Sequence, residues 1–124
     1  MRRIAALLSL LAILLTAAPL LAADEATIKK QVDNMVEAIN NGKPPASYAA
    51  DAYQPYVFIM EANGLLLVHP YLAGESLPEK AAPIYQALQQ ATTEGIWVEY
   101  FWKGAQKHTY VRRTKNNLTV GSGN

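Results

Sequence analysis

Apolar and polar positions follow two different periods along this chain, and the changes of period mark its elements. Between residues 24 and 41, Ile28, Val32, Met35, Val36 and Ile39 recur at intervals of three and four, with Lys29, Lys30, Asp33, Asn34 and Glu37 elsewhere. That spacing gathers one apolar stripe on a helix, so it predicts an amphipathic helix covering one side of a core. Gly42 suits the position after a helix end, and Pro44-Pro45 forbid continuation. Residues 43–54 show no clear period and read as a connecting segment carrying Tyr48 and Tyr53.

The period then becomes two. From Pro55 to Pro70, two apolar runs flank Glu61-Ala62-Asn63-Gly64. Asn-Gly between apolar runs signals a hairpin, because both residues tolerate positive φ. A two-residue loop sets Phe58 opposite His69; a four-residue loop sets Tyr56 there. Either even loop puts Tyr56, Phe58, Met60, Leu65, Leu67 and His69 on one face. Val57, Ile59, Leu66 and Val68 then form the other, plain aliphatic face. An odd loop or a bulge breaks this parity.

Beyond a loop with Gly74 and Pro78, residues 79–94 predict a second helix, with Pro83 in its first turn and Ile84, Leu88 and Ala91 on one face. Ile-Trp-Val-Glu-Tyr-Phe-Trp at 96–102 is dense in β-branched and aromatic residues and predicts a strand. Alternation sets Val98, Tyr100 and Trp102 against Trp97, Glu99 and Phe101. Strands at 107–114 and 118–122 follow turns at 103–106 and 115–117. Helix, two strands, helix, three strands, with hairpin-length links, predicts an α+β domain: an antiparallel sheet with helices packed on its faces.

The first 23 residues stand apart. Arg2-Arg3 precede an apolar run from Ile4 to Ala18, and Ala22-Ala23 precede Asp24-Glu25. This is the layout of a secretory signal peptide, cleaved after Ala22 or Ala23. The run is short for a membrane span, so an uncleaved anchor is the lesser reading. The expected organisation is therefore a signal peptide at 1–23 and one domain at 24–124. Cleavage removes two arginines from a chain whose formal charge is +1. The near-neutral remainder carries no electrostatic footprint for nucleic acid or for anionic membranes. The chain has no cysteine. Small exported domains without disulfides must be held by packing alone, and that favours the bacterial periplasm over animal secretion.

Tyr-Val-Phe-Ile-Met at 56–60, Asn63-Gly64, His69-Pro70 and Gly74 form one block. The run 95–102, then Lys107 with Tyr-Val-Arg-Arg at 110–113, then Gly-Ser-Gly at 121–123 form others. In this order, across roughly residues 25–124, the chain resembles the single Cache domain, the extracytoplasmic PAS-like sensor module of bacterial chemoreceptors and histidine kinases. The resemblance implies a five-stranded antiparallel sheet, an N-terminal helix on one face and a ligand pocket on the other, beneath the second helix and its loops. It also implies a small-molecule ligand, often a short carboxylate. Receptors of this kind continue into a transmembrane helix, whereas this chain runs to Gly121-Ser122-Gly123-Asn124. The expectation is a free-standing periplasmic form with no span after signal cleavage, acting through a membrane receptor or histidine kinase.

A small-acid pocket needs a few donors aimed at a carboxylate and apolar walls around the rest. His69 offers an N–H and, if protonated, a charge; affinity for an acid then falls as the pH rises through its pKa. Tyr56, Tyr100 and Tyr110 offer hydroxyls on apolar bodies. Arg112 and Arg113 point to opposite faces of their strand, so one of them at most serves a pocket; Arg112 is the candidate. Phe58 and Trp102, with Trp97, are wall candidates. The candidate ligand-binding set is thus Tyr56, Phe58, His69, Tyr100, Trp102, Tyr110 and Arg112. Weighed against it, a histidine before proline is often a turn residue, a strand arginine is often solvated, and an aromatic strand is often core. His69 and His108 find no third metal ligand at suitable spacing, and no cofactor is called for. No nucleophile elbow, phosphate loop or paired carboxylates point to an enzyme. Two readings follow: a ligand-binding sensor domain, or a structural domain whose sheet face is closed and fully packed.

Overall fold

A computed structural model describes residues 24–123. The expected signal peptide at 1–23 lies outside the described residues. The apolar stripe of the first segment forms helix α1 over residues 24–40. Short 3-10 turns at Pro45–Ser47 and Ala50–Ala52 lead into strand β1, Val57–Met60, and strand β2, Leu66–Val68. The second helical segment is split into α2, Leu77–Lys80, and α3, Ala82–Leu88. Strands β3, Ile96–Trp102, β4, Ala105–Arg113, and β5, Thr119–Gly123, complete the chain. The split corrects the single helix expected at 79–94. Ala81 leaves helical geometry at φ −159°, and Pro83 just beyond it has no N–H to carry a continuous ladder.

The five strands form one antiparallel sheet in the order β2-β1-β5-β4-β3. The last strand therefore inserts beside the first, and both faces of β1 are buried. One face packs on α1: Val57, Ile59, Val68 and Val120 meet Ile28, Val32, Val36 and Ile39. The other packs under α2 and α3, where Phe58, Met60, Leu66, Val98 and Val111 meet Leu77, Ile84 and Leu88. This is the expected α+β architecture, with Val57 and Ile59 on the α1 side.

The hairpin parity is broken twice. Glu61 N–H donates to Leu65 O at 2.8 Å, closing an odd three-residue loop at 62–64, with Gly64 at φ +93°. The register then shifts between Ile59↔Val68 and Met60↔Leu66, so Leu67 is the extra residue of a bulge. Leu66 consequently lies on the α2–α3 face with Met60, and Leu67 packs toward α1. This corrects the expected faces of Leu66 and Leu67. By His69 the loop and the bulge have cancelled, and the register is the one a two-residue loop gives.

Candidate functional site

The hairpin tip fixes the layer above the second sheet face. Tyr85 Oη donates to Ala62 O at 2.7 Å, Gln89 Nε2 donates to the same carbonyl at 3.1 Å, and Leu77 N–H donates to Gly64 O at 2.9 Å. A Cβ on Gly64 would fall within 2.3 Å of Pro78, so only glycine lets α2 seat on the turn. Between this layer and the sheet lies a cavity of about 30 Å³, room for one or two waters. Phe58, Leu66, Leu72, Leu77, Ile84 and Leu88 form its apolar walls; Tyr56, His69, Tyr100, Trp102 and Lys107 bring polar atoms.

Five of the seven candidate residues, Tyr56, Phe58, His69, Tyr100 and Trp102, thus surround one space. Tyr110 and Arg112 do not. The turn at Lys103-Gly104 pairs Trp102 with Ala105 and Tyr100 with Lys107, so Lys107 and Thr109 face the cavity side while Tyr110 and Arg112 face α1. There they share one carboxylate: Tyr110 Oη donates to Asp33 Oδ1 at 3.0 Å and Arg112 Nη1 donates to the same oxygen at 3.1 Å. Lys29 Nζ donates to Asp33 Oδ2 at 2.9 Å. Burial pulls the Asp33 carboxyl upward, but the three donors outweigh it and hold it below the usual aspartate value. Arg113 turns to Gln89 O and Ala91 O at the end of α3, also outside the cavity. Trp97 stacks on His108 on the α1 side, with centroids 4.4 Å apart, and is no wall of the cavity.

His69 has a double role. Its Nδ1 accepts the backbone N–H groups of Tyr71 at 3.3 Å and Leu72 at 3.1 Å. The ring is therefore neutral, with its proton on Nε2, and burial lowers its pKa to about 4. Of the two possibilities, an N–H alone or an N–H with a charge, this geometry suits the first: the residue caps the turn that follows it while its ring borders the cavity. Burial also raises the phenols of Tyr56 and Tyr100, so both stay protonated donors at neutral pH. Thr109 Oγ1 donates to Tyr100 Oη at 3.0 Å and orients it.

Lys107 was missed as a site residue. Its signal was available in the register of the β3–β4 turn, which sets it opposite Tyr100. Among the described residues no carboxylate lies within ion-pair distance of it, and none lines the cavity. Beside the cavity runs an open groove of about 350 Å³ that shares Tyr56 and Lys107 with it and is otherwise edged by Asp51, Tyr53, Pro70 and Tyr71. Among the described residues no three His, Cys, Asp or Glu are grouped to hold a metal, and no helix is long and apolar enough to cross a membrane.

No protein-family model and no curated protein matches the chain. Its fold is similar to the crystal structure of a methyl-accepting chemotaxis protein from Vibrio parahaemolyticus, at a TM-score of 0.52 and 16% identity over 85% of this chain and 90% of that one. At that identity the likeness establishes the architecture: an α+β domain with a five-stranded antiparallel sheet, the fold of a chemotaxis protein.

Proposed function

We propose that this chain is a sensor-type domain of the Cache kind that binds a small monocarboxylate between its sheet and α2–α3. The observation carrying this reading is the polarity of the cavity lining. Lys107 brings one ammonium, Tyr56, Tyr100 and His69 bring neutral donors, and among the described residues no acid lines the space. A carboxylate finds donors there, while an ammonium group finds no anionic partner. One lysine beside a neutral histidine suits a single negative charge. The apolar walls suit a short aliphatic tail, and their small volume means that anything beyond two or three heavy atoms enters only as the walls move. That tightness is also what favours the second reading, a closed structural face with no ligand. The resemblance to a chemotaxis protein supports the sensor.

Calorimetry with acetate, propionate and butyrate separates the two readings. Binding that Lys107→Met weakens by about 1.5–3 kcal/mol, the range for hydrogen bonds to charged groups, supports the site. No binding by any acid of the series sinks it. Export to the periplasm, with signalling through a membrane receptor or histidine kinase, belongs to the same proposal. Mass spectrometry of the periplasmic fraction is expected to find a chain beginning at Ala23 or Asp24; a full-length species in the inner membrane would contradict export.

A further inference from the structure

The cavity and the groove beside it share two walls, Tyr56 and Lys107. Tyr71 edges the groove and is 55% exposed, an unusual position for a tyrosine with so many neighbours. Its ring touches the cavity wall at two rings: the His69 centroid is 4.7 Å away and the Tyr56 centroid 6.5 Å away, both edge-on. At the far side Trp102 Nε1–H donates to Tyr71 Oη at 3.2 Å. Lys103 Nζ lies over both rings, 5.2 Å from Tyr71 and 5.5 Å from Trp102. The tyrosine thus spans from the turn after β2 to the tip of the β3–β4 hairpin. Tyr56 and Lys107 border both spaces, and Tyr71 meets Tyr56, His69 and Trp102, three residues of the cavity lining.

We infer that the groove is the outer compartment of the same site, and that Tyr71 is a gate between the two, latched by Trp102. Closed, the gate leaves an inner space for one or two waters. Swung outward, it joins that space to the groove, giving a volume in the range of small-molecule sites. Lys107 then stands midway, with apolar walls on one side and open solvent on the other. An anion enters tail first, its carboxylate stopping at Lys107. The backbone of the gate stays in place, because His69 Nδ1 holds the N–H groups of Tyr71 and Leu72. Only the side chain has to turn, and an exposed side chain turns quickly. Asp51 on the groove rim repels a second negative charge, so the outer compartment reinforces the selection of a monoanion.

The ligand's route rests on the proposed function; the gate itself does not, and the test keeps them apart. The chain has no cysteine, so a single thiol reports access to one place. Leu88→Cys puts the thiol on the inner wall, and Val36→Cys puts one in the core beneath α1 as a control for general loosening. Iodoacetamide, small and uncharged, is the probe. Tyr71→Phe removes the latch but keeps the ring. It is expected to speed alkylation at Leu88→Cys about three- to tenfold, the equivalent of one net hydrogen bond, with no change at Val36→Cys. Tyr71→Ala is expected to speed it further. Trp102→Phe should match Tyr71→Phe, and the double variant should add nothing, since both remove the same bond. Unchanged alkylation in Tyr71→Phe overturns the gate, as does an equal rise at both thiols. If Leu88→Cys does not fold, Ile84→Cys serves on the same wall. Butyrate slowing alkylation at the inner thiol supports the entry route. A gate that opens as described with no protection by butyrate, propionate or acetate upholds the gate and counts against the carboxylate reading.

Discussion

The ring of Phe58 occupies the place where Gly121 has no side chain. The two residues are directly paired across β1 and β5, and a Cβ on Gly121 would stand 2.4 Å from Phe58 Cζ. The glycine lets an aromatic wall of the cavity lie flat across the central strand instead of standing up into the space above it.

Gly121→Ala is therefore expected to push the Phe58 ring upward into the cavity and to cost about 1–3 kcal/mol as overpacking. Phe58→Leu in the same chain should recover part of that loss. A denaturation double-mutant cycle measures the coupling; additive losses would show that the ring and the methyl do not compete.

Ile59 points the other way and is fully buried against α1. Ile59→Ala is expected to cost about 2–5 kcal/mol in chemical denaturation, with ligand affinity unchanged. A cost near zero would mean that α1 does not cover this face.

His69 links stability to pH. Its folded pKa of about 4 lies below the 6.5 of a free histidine, so the unfolded chain binds the extra proton between those values. Stability contributed by the neutral ring is complete above about pH 7 and is lost as the pH falls from 6.5 towards 4. The full shift corresponds to about 3 kcal/mol; with the residue partly exposed, about 1–2 kcal/mol is expected. His69→Asn keeps an acceptor for the two amides without titrating there, and should flatten the profile. Affinity for an acid should stay level from pH 6.5 to 8, because the ring is already neutral.

Asp33 also loses its contribution as the pH falls, but here the charged form is the one the fold favours. Its folded pKa is depressed by hydrogen bonds from Lys29, Tyr110 and Arg112 that outweigh burial. Its contribution is present above the ordinary aspartate value near 4 and fades as the pH falls through the lower folded value. Asp33→Ala is expected to cost about 1.5–3 kcal/mol at neutral pH, read by thermal or chemical denaturation, and to leave Arg112 held by Thr93 O alone.

Much of this was written in local pattern. The stripe from Ile28 to Ile39 specified α1, and the aromatic run 96–102 specified β3, because periodicity within one element needs no knowledge of its neighbours. The errors arose where register decides. The odd loop at 62–64 exchanges the faces of Leu66 and Leu67, and the bulge at Leu67, which has no composition signal, restores the expected face from Val68 on. Tyr110 and Arg112 look like pocket donors by residue type, but the even β3–β4 turn sets Tyr110 opposite Trp97, and Arg112, two residues on, shares that face, away from Tyr100. The same count would have found Lys107. The leucines of α2 and α3 were unreadable as cavity walls, since their place depends on how Pro83 breaks the helix and how Gly64 receives Pro78.

The break between α2 and α3 divides the molecule into a slow half and a fast half. Neither short helix has a side-chain cap at its N-terminus, and together they span Leu77 to Leu88, whereas α1 runs unbroken across the opposite face. Short uncapped helices open at low free energy while a long packed one opens with the whole fold. Amide hydrogen exchange should therefore be lopsided, with α2 and α3 exchanging through local fluctuations and α1 only on global unfolding. Occupancy of the cavity would be written first as slowed exchange in the layer that otherwise breathes most.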